Sequence, residues 1–413
     1  MGTEFLKIVE ADEAKKIVEN LFKECYKIRS ENVPIENSYN RVVSEDMHAT
    51  MDLPPFDKAL KDGYAIKSED SFGTAEENPK ILKCIDTVEA GSFSKKTVKK
   101  GECIEVSTGT PIPKGTNAIV MVEFSEKLEK SSETININVA ILKSVPPNED
   151  IAKKGSDIKK GKLILKKGTA LNPVKIGLLS AQGMKNLDVF KKPFVSVIST
   201  GNELLNKNEK MEHGKIYDVN TNLIKGTVLS SGGTPITQGI VKDDYDELKT
   251  KIITSLKNSD IVICSGGTSA GVGDILKDVI DELGEVLIHG ISVKPGKPTL
   301  VGKINDKIII GLPGNPVSAI TIYNVFIDPY IRSISGLSGR ENSKRKQFRL
   351  AKRIHSAKGR MEYLLVEIKN NEVHPIVKDS GAIASLSYAD GYTKIPKSVE
   401  IIDAGEFVDV SLF

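Results

Sequence analysis

From Pro193 onward the chain alternates β-branched apolar runs with helical stretches, and this alternation restricts the fold more than any other feature. PFVSVIST reads as a buried strand that stops in the glycine turn STGNEL, Ser199–Leu204. Asn220 to about Ser231 reads as a helix closed by Gly232-Gly233, and TPITQGIVKD as the next strand. Asp244 to Lys257 is a helix whose Asp244 and Glu247 fit a capping box. Asp260–Cys264 is a further strand. Such alternation predicts a mainly parallel sheet with helices on both faces. Ligands of these sheets bind beyond the C-terminal ends of the strands.

The stretch from Asp260 to Ser318 concentrates the unusual loops. DIVICSGGTSAGVGD (Asp260–Asp274), VKPGKP (Val293–Pro298) and IIIGLPGNPVSA (Ile308–Ala319) follow one another, with a hairpin before the last. Glycines let backbone N–H groups approach a ligand, and helix N-termini favour anions. Lys294 and Lys297 add positive charge, and Asp274 adds a carboxylate. Each motif alone has a plain structural use. Asp274 can cap a helix over Ile275–Leu283, and Asn315 can cap one that begins at Pro316. Their coincidence on one rim with Glu203, Lys294 and Lys297 points instead to a phosphate or oxyanion site with a metal nearby. GVGDIL lacks the third glycine of a dinucleotide fingerprint, and GxxxxGK[ST] is absent, so neither ordinary nucleotide loop is expected.

The chain before Pro193 has a different texture. Ala11 to roughly Ile28 carries Ile17, Val18, Leu21, Phe22 and Cys25 at helical spacing, and a second helical piece is expected near Asn40–His48. In LPPFDKALKDGYAIK (Leu53–Lys67), Asp62-Gly63 is a turn signal, and an aspartate there commonly bonds its own backbone. Phe56, Tyr64, Asp57 and Asp62 leave a ligand-facing loop as the other reading. Pro79 to about Val145 is strand-rich and includes STGTPIPKGTNAIVMVEF, Ser107–Phe124. In the Lys-rich segment Val145–Leu171, Asp157 after Gly155 fits a turn. Asn172 to about Gln182 is a short helix with Asn172 as its cap. The tail from about Gln347 to Phe413 reads as a small β-barrel or sandwich.

Bulk properties narrow the function classes. A chain of 413 residues needs several cores. A net charge of +3 gives no reason to expect nucleic acid as a partner. The four cysteines are scattered without a CxxC, which suggests reduced thiols in a cytoplasm. No membrane span and no histidine-built metal site is expected.

The ordered motif series resembles the molybdopterin molybdenumtransferase, or MoeA-type, family. It comprises LPPFDxxxxDGYA, STGTPxPxG, GxDI, STGNEL, the YDxN of Tyr217–Asn220, SGGTSAGxxD, KPGKP and GLPGNPVS. The resemblance implies an elongated homodimer of multidomain α/β plus β class. Residues 1–50 and 145–190 would form a discontinuous helical and linking domain, and 51–144 an inserted β-rich domain. Residues 191–340 would form a MogA-like α/β/α domain with a mainly parallel sheet, and 345–413 a C-terminal β-barrel-like domain.

The implied chemistry is molybdenum cofactor biosynthesis. Adenylylated molybdopterin and molybdate, or tungstate, would be the substrates, and Mg²⁺ would assist release of AMP. By the resemblance, Asp62, Thr108, Glu203 and Asp274 are catalytic, and Asp62, Glu203 and Asp274 are the metal-site carboxylates. Asp157, Thr200, Gly201, Ser265, Gly266, Gly267, Thr268, Ser269, Lys294, Lys297, Pro313, Gly314, Asn315 and Pro316 would contact substrate. The Asp62 loop would arrive from the second subunit, and the molybdopterin adenylyltransferase would be a transient partner. Competing readings are an adenylyltransferase, which the N-terminal motifs disfavour, and a non-catalytic cofactor-binding scaffold.

Overall fold

The computed structural model describes residues 8–128, 137–266, 273–340, 345–356, 358–377 and 381–413, without the side chains of Gly273, Asp274 and Arg345. The chain divides into two compact units. One comprises Met1–Glu45, Lys167–Ile176 and Asn186–Phe413, and the other Asp46–Lys166 and Gly177–Lys185.

The larger unit is built on a six-stranded sheet. Its order is Thr234–Val241, Phe194–Thr200, Ile261–Ser265, Lys307–Leu312, Leu300–Ile304, Glu285–His289. The first four strands are parallel, and Leu300–Ile304 runs antiparallel between Lys307–Leu312 and Glu285–His289, so the sheet is mainly parallel, as the alternation predicts. Asn305, with φ of 51°, takes the left-handed position in the hairpin that joins Leu300–Ile304 to Lys307–Leu312. Alternate side chains serve two cores, because successive strand residues point to opposite faces. Val195, Val197, Ile261, Ile263, Ile308 and Ile310 pack with the helices Ala11–Cys25, Asn220–Ser230 and Pro316–Ile322. Ile198, Val262, Cys264 and Ile309 pack with Tyr245–Asn258 and Gly273–Leu283. Both faces are covered, which is why these strands read as continuous apolar runs.

The N-terminal helix buries Ala11, Ala14, Val18, Leu21 and Phe22. Phe22 stacks on Tyr330 at 5.4 Å between ring centroids. Burial of a side chain of this size contributes about 1.5–3 kcal/mol. The helix ends at Cys25 rather than near Ile28, because Tyr26 is already extended. The helix expected near Asn40–His48 does not form. Val42 and Val43 instead make β-bridges to Ala170 and Val189, and Met47–His48 is a short strand. Two adjacent β-branched residues favour that extended backbone.

The last part of this unit is a closed five-stranded barrel. Met361–Lys369 pairs with both Glu372–Pro375 and Gly391–Ile395. Arg345–Leu350 pairs with Glu372–Pro375 and Phe407–Leu412, and the latter with Gly391–Ile395. Closure leaves few exposed edges, and the one that remains is used: Val293–Lys294 adds parallel to Met361–Glu362. The lysine-proline loop is therefore hydrogen-bonded to the barrel.

The smaller unit holds a second six-stranded sheet, ordered Ala118–Met121, Gly63–Ile66, Glu102–Val106, Lys80–Val88, Ile137–Ile141, Ser125–Lys127. Tyr64, Ile66, Leu82, Val120, Val139 and Ile141 fill one face. Ala65, Ile104, Val106 and Ile119 fill the other. Gly63 does not serve a turn. It opens a strand, where an added Cβ would lie 2.0 Å from the Val120 carbonyl oxygen. The helix over Pro173–Ala181 forms as expected, and the Asn172 side chain accepts the Lys175 N–H at 3.0 Å.

Candidate active site

Three strands of the larger unit end side by side, at Thr200, Ser265 and Leu312. Their following loops meet closely because glycine removes the intervening Cβ. A Cβ on Gly266, at φ +96°, would stand 2.2 Å from the Thr200 carbonyl oxygen. A Cβ on Gly314 would stand 3.6 Å from Gly266 Cα. Asn220, the first residue of its helix, ties the loops together from the side. Its Nδ2 donates to Ser265 Oγ at 2.9 Å and to the Gly314 carbonyl at 2.6 Å.

These loops floor a cleft of about 1180 Å³. Thr200, Gly201, Glu203, Asn220, Asp243, Ser265 and Gly266 line one side, and Lys294–Pro298 and Pro313–Ser318 another. The barrel contributes Arg360, Glu362 and Ser385. Among the described residues, the buried Thr200 Oγ1, Asn220 Oδ1, Asp243 Oδ1 and Ser385 Oγ have no hydrogen-bond partner. A buried polar atom without a partner costs about 1–3 kcal/mol. Four of them around one cleft mark a surface made to bind a polar ligand.

Charge is distributed unevenly around it. Lys294 stands 2.9 Å from the Glu362 carboxylate, whose side chain is only 8% exposed, and Ser356 donates to the same carboxylate at 2.6 Å. Lys297 has no side-chain partner among the described residues, and neither does Arg360. The two are the cations at the cleft left for an anionic ligand. Glu203 folds its carboxylate over Gly201, where a Cβ would lie 2.6 Å from Oε2, and it makes no ion pair among the described residues. Asp243 uses Oδ2 to accept the Asn202 N–H at 3.1 Å, and Asn202 Oδ1 accepts the Asp243 N–H at 3.3 Å. That reciprocal pair fixes the Asp243 side chain and leaves Oδ1 over.

In the smaller unit, Asp62 accepts two hydrogen bonds on one oxygen, from Thr108 N–H at 2.6 Å and Thr108 Oγ1 at 2.8 Å. Asp62 therefore bonds a residue forty-six positions away rather than its own backbone. These bonds, the backbone one first, hold its carboxyl below the ordinary 3.8. Asp57 is structural: Lys154 N–H donates to it at 2.7 Å and Lys153 pairs with it at 3.0 Å. The same bonds lower its pKa. Asp157 is exposed, and its backbone N–H donates to the Leu53 carbonyl at 3.0 Å.

The structure thus brings Thr200, Gly201, Glu203, Ser265, Gly266, Lys294, Lys297, Pro313, Gly314, Asn315 and Pro316 to one cleft. It places Asp62, Thr108 and Asp157 in the smaller unit. Gly267, Thr268, Ser269 and the Asp274 side chain lie outside the described residues. Asp274 falls within the helix Gly273–Leu283 rather than ahead of it as a cap. Asn315 stands at the cap position before Pro316, but its side chain makes no cap hydrogen bond.

Sequence reasoning missed Asp243, Asn220 as a loop clasp, and the barrel residues Arg360, Glu362 and Ser385. Asp243 was within reach, since it follows a strand end as Glu203 does. No local pattern in the tail announces that the barrel lines a cleft.

Comparison with known proteins agrees with this layout. Residues 9–183 match the MoeA N-terminal region (domain I and II). Residues 196–333 match the family described as "Probable molybdopterin binding domain", and 347–413 match the MoeA C-terminal region (domain IV). A molybdopterin biosynthesis protein of Methanocaldococcus jannaschii is 37% identical over 389 residues, covering 92% of this chain and 91% of its own. The molybdopterin molybdenumtransferase of Staphylococcus epidermidis is 30% identical over 413 residues, covering 96% and 94%. The crystal structure of a molybdopterin biosynthesis MoeA protein from Pyrococcus horikoshii superimposes with a TM-score of 0.82 at 38% identity, over 98% of this chain and 99% of that one. The chain belongs to the MoeA family.

Proposed function

We propose that this protein is a molybdopterin molybdenumtransferase of molybdenum cofactor biosynthesis that works on adenylylated molybdopterin in the cleft between the α/β sheet and the barrel. The transferase reading rests on the family, whose curated members carry that name over most of the chain. The observation that favours this cleft is the set of polar atoms on Thr200, Asn220, Asp243 and Ser385, together with the cations Lys297 and Arg360, that have no partner among the described residues.

Adenylylated molybdopterin carries a phosphoanhydride, and molybdate is itself an oxyanion. Lys297 and Arg360 supply charge for such groups, and the glycine loops at Gly266 and Gly314 let ligand atoms approach the backbone. Cleavage of a phosphoanhydride needs positioning and charge neutralisation more than a covalent intermediate. Asn220 holds two of the loops in register, so the donors do not have to reorganise during the reaction. In this reading Asp62 and Thr108 come from the second copy of a homodimer, as the family resemblance implies.

The oxygen donors also fit Mg²⁺. Among the described residues Glu203 makes no ion pair and Asp243 Oδ1 has no hydrogen-bond partner, and a hard cation that retains waters and phosphate oxygens needs only one or two carboxylates. No group of three or more His, Cys, Asp or Glu gathers among the described residues, so an all-protein cage is not expected. When bound, the ion would neutralise charge on the phosphate groups. Glu203 and Asp243 would hold it.

The test is to supply purified protein with adenylylated molybdopterin and either molybdate or tungstate, and to follow AMP release and cofactor formation. Release stimulated by an oxyanion supports the reading. Absence of stimulation by both anions, with substrate bound, contradicts it.

A further inference from the structure

A pair of cysteines that belongs to none of the motifs above meets inside the smaller unit. Cys84 and Cys103 are register partners on neighbouring parallel strands, Lys80–Val88 and Glu102–Val106. Register partners on adjacent parallel strands point to the same face of the sheet, and both cysteines pack with Tyr64, Leu82 and Val139, where the Cys84 thiol donates to the Asp86 carbonyl at 3.2 Å. Adjacent strands lie about 4.8 Å apart. That spacing falls within the roughly 4.4–6.8 Å Cα separation that a disulfide accepts. The register slips just after Cys84, between Cys84 and Asp86, so the strand is locally irregular and Cys84 lies where the ladder can adjust.

The two thiols differ in the way that thiol exchange requires. Cys84 is half-buried and reachable, whereas Cys103 is fully buried. We infer that Cys84 and Cys103 form an oxidisable dithiol that small-molecule disulfides such as glutathione disulfide convert to an internal disulfide. The neighbouring Cys103 thiol lowers the pKa of Cys84, while Cys84 and burial raise that of Cys103. Cys84 is thus the attacking group and Cys103 the resolving one. The Cys84 thiolate attacks one sulfur of the small disulfide and expels the other as a thiolate. Cys103, giving up its proton, then attacks the Cys84 sulfur and expels the second small thiolate. Two protein thiols lose two electrons and two protons, and one small disulfide becomes two thiols.

The site has a route to the Asp62 loop. The strand that begins at Glu102 ends at Val106, paired to Gly63, and Thr108 follows two residues later. A covalent tie at Cys103 therefore restrains the strand that presents Thr108 to Asp62.

The experiment uses the full chain, reduced and then equilibrated with glutathione disulfide at neutral pH, denatured, alkylated and peptide-mapped. The expected result is a fall from four free thiols to two, with Cys84 and Cys103 joined and Cys25 and Cys264 still alkylated. Cys103→Ser is expected to stop at a single glutathione on Cys84. Four free thiols after equilibration, a bond to another cysteine, or glutathione retained on Cys84 of the unmodified sequence would each overturn the inference. Mapping of the unmodified sequence decides the matter even if the variant does not fold.

Discussion

Lys294 holds its ammonium 2.9 Å from the carboxylate of Glu362, joining the lysine-proline loop of the α/β sheet to the first strand after Arg360 in the barrel. Lys297, three residues on, has no such partner among the described residues. Two lysines that look equivalent in the sequence therefore divide into a structural one and a ligand-facing one.

That division is testable by substitution. Lys294→Ala strands a nearly buried carboxylate that, among the described residues, keeps Ser356 alone, and is expected to cost about 1–3 kcal/mol, toward the low end because the lysine is half exposed. Glu362→Gln added to it should recover most of the loss. Lys297→Ala should leave thermal stability unchanged and weaken substrate binding. Thermal denaturation alongside substrate titration separates the two outcomes, and equal stability losses would refute the division.

The glycine loops are expected to be intolerant where backbone approaches backbone. Gly266→Ala puts a Cβ 2.2 Å from the Thr200 carbonyl oxygen at a φ of +96°. Strain of this kind costs on the order of 1–3 kcal/mol. Gly226, inside the helix Asn220–Ser230, has open space around it. Gly226→Ala should stabilise by about 0.5–1 kcal/mol. Chemical denaturation of both variants checks the opposite signs.

Asp62 should stay ionised to lower pH than an ordinary aspartate. Its folded pKa is depressed below 3.8 by the Thr108 N–H and hydroxyl. The stabilisation it gives is therefore present above the unfolded value and is lost as pH falls through the folded one. Thr108→Val keeps the N–H donor and removes the hydroxyl, so the Asp62 pKa should rise part of the way toward the ordinary value. A carboxyl NMR titration measures this, and an Asp62 pKa unmoved by the substitution would show that the hydroxyl bond contributes nothing.

The sequence revealed these features unevenly. The parallel sheet was legible because strands buried on both faces, such as Ile261–Cys264 and Ile308–Ile310, leave an unbroken apolar record. The C-terminal barrel was legible as short strands, but its place at the cleft was not, since Arg360 sits in a polar turn and Ser385 in a short helix with no distinctive pattern. Asp62-Gly63 read as a turn by local chemistry. Tertiary context overrode it: Gly63 is needed against the Val120 carbonyl, and Asp62 bonds Thr108. The helix predicted over Asn40–His48 failed for the same reason, as Val42 and Val43 found bridge partners far along the chain.

In the proposed reaction, adenylylated molybdopterin is cleaved in an oxyanion-dependent way in the cleft bearing Glu203, Asp243 and Lys297. The most direct measurement is AMP release from adenylylated molybdopterin, with and without molybdate, by the unmodified protein and by Asp243→Asn. Molybdate-stimulated release is expected to fall at least about tenfold in the variant, corresponding to the loss of roughly 1.4 kcal/mol, while the fold is retained. Release that ignores molybdate, or that Asp243→Asn leaves unchanged, would contradict it.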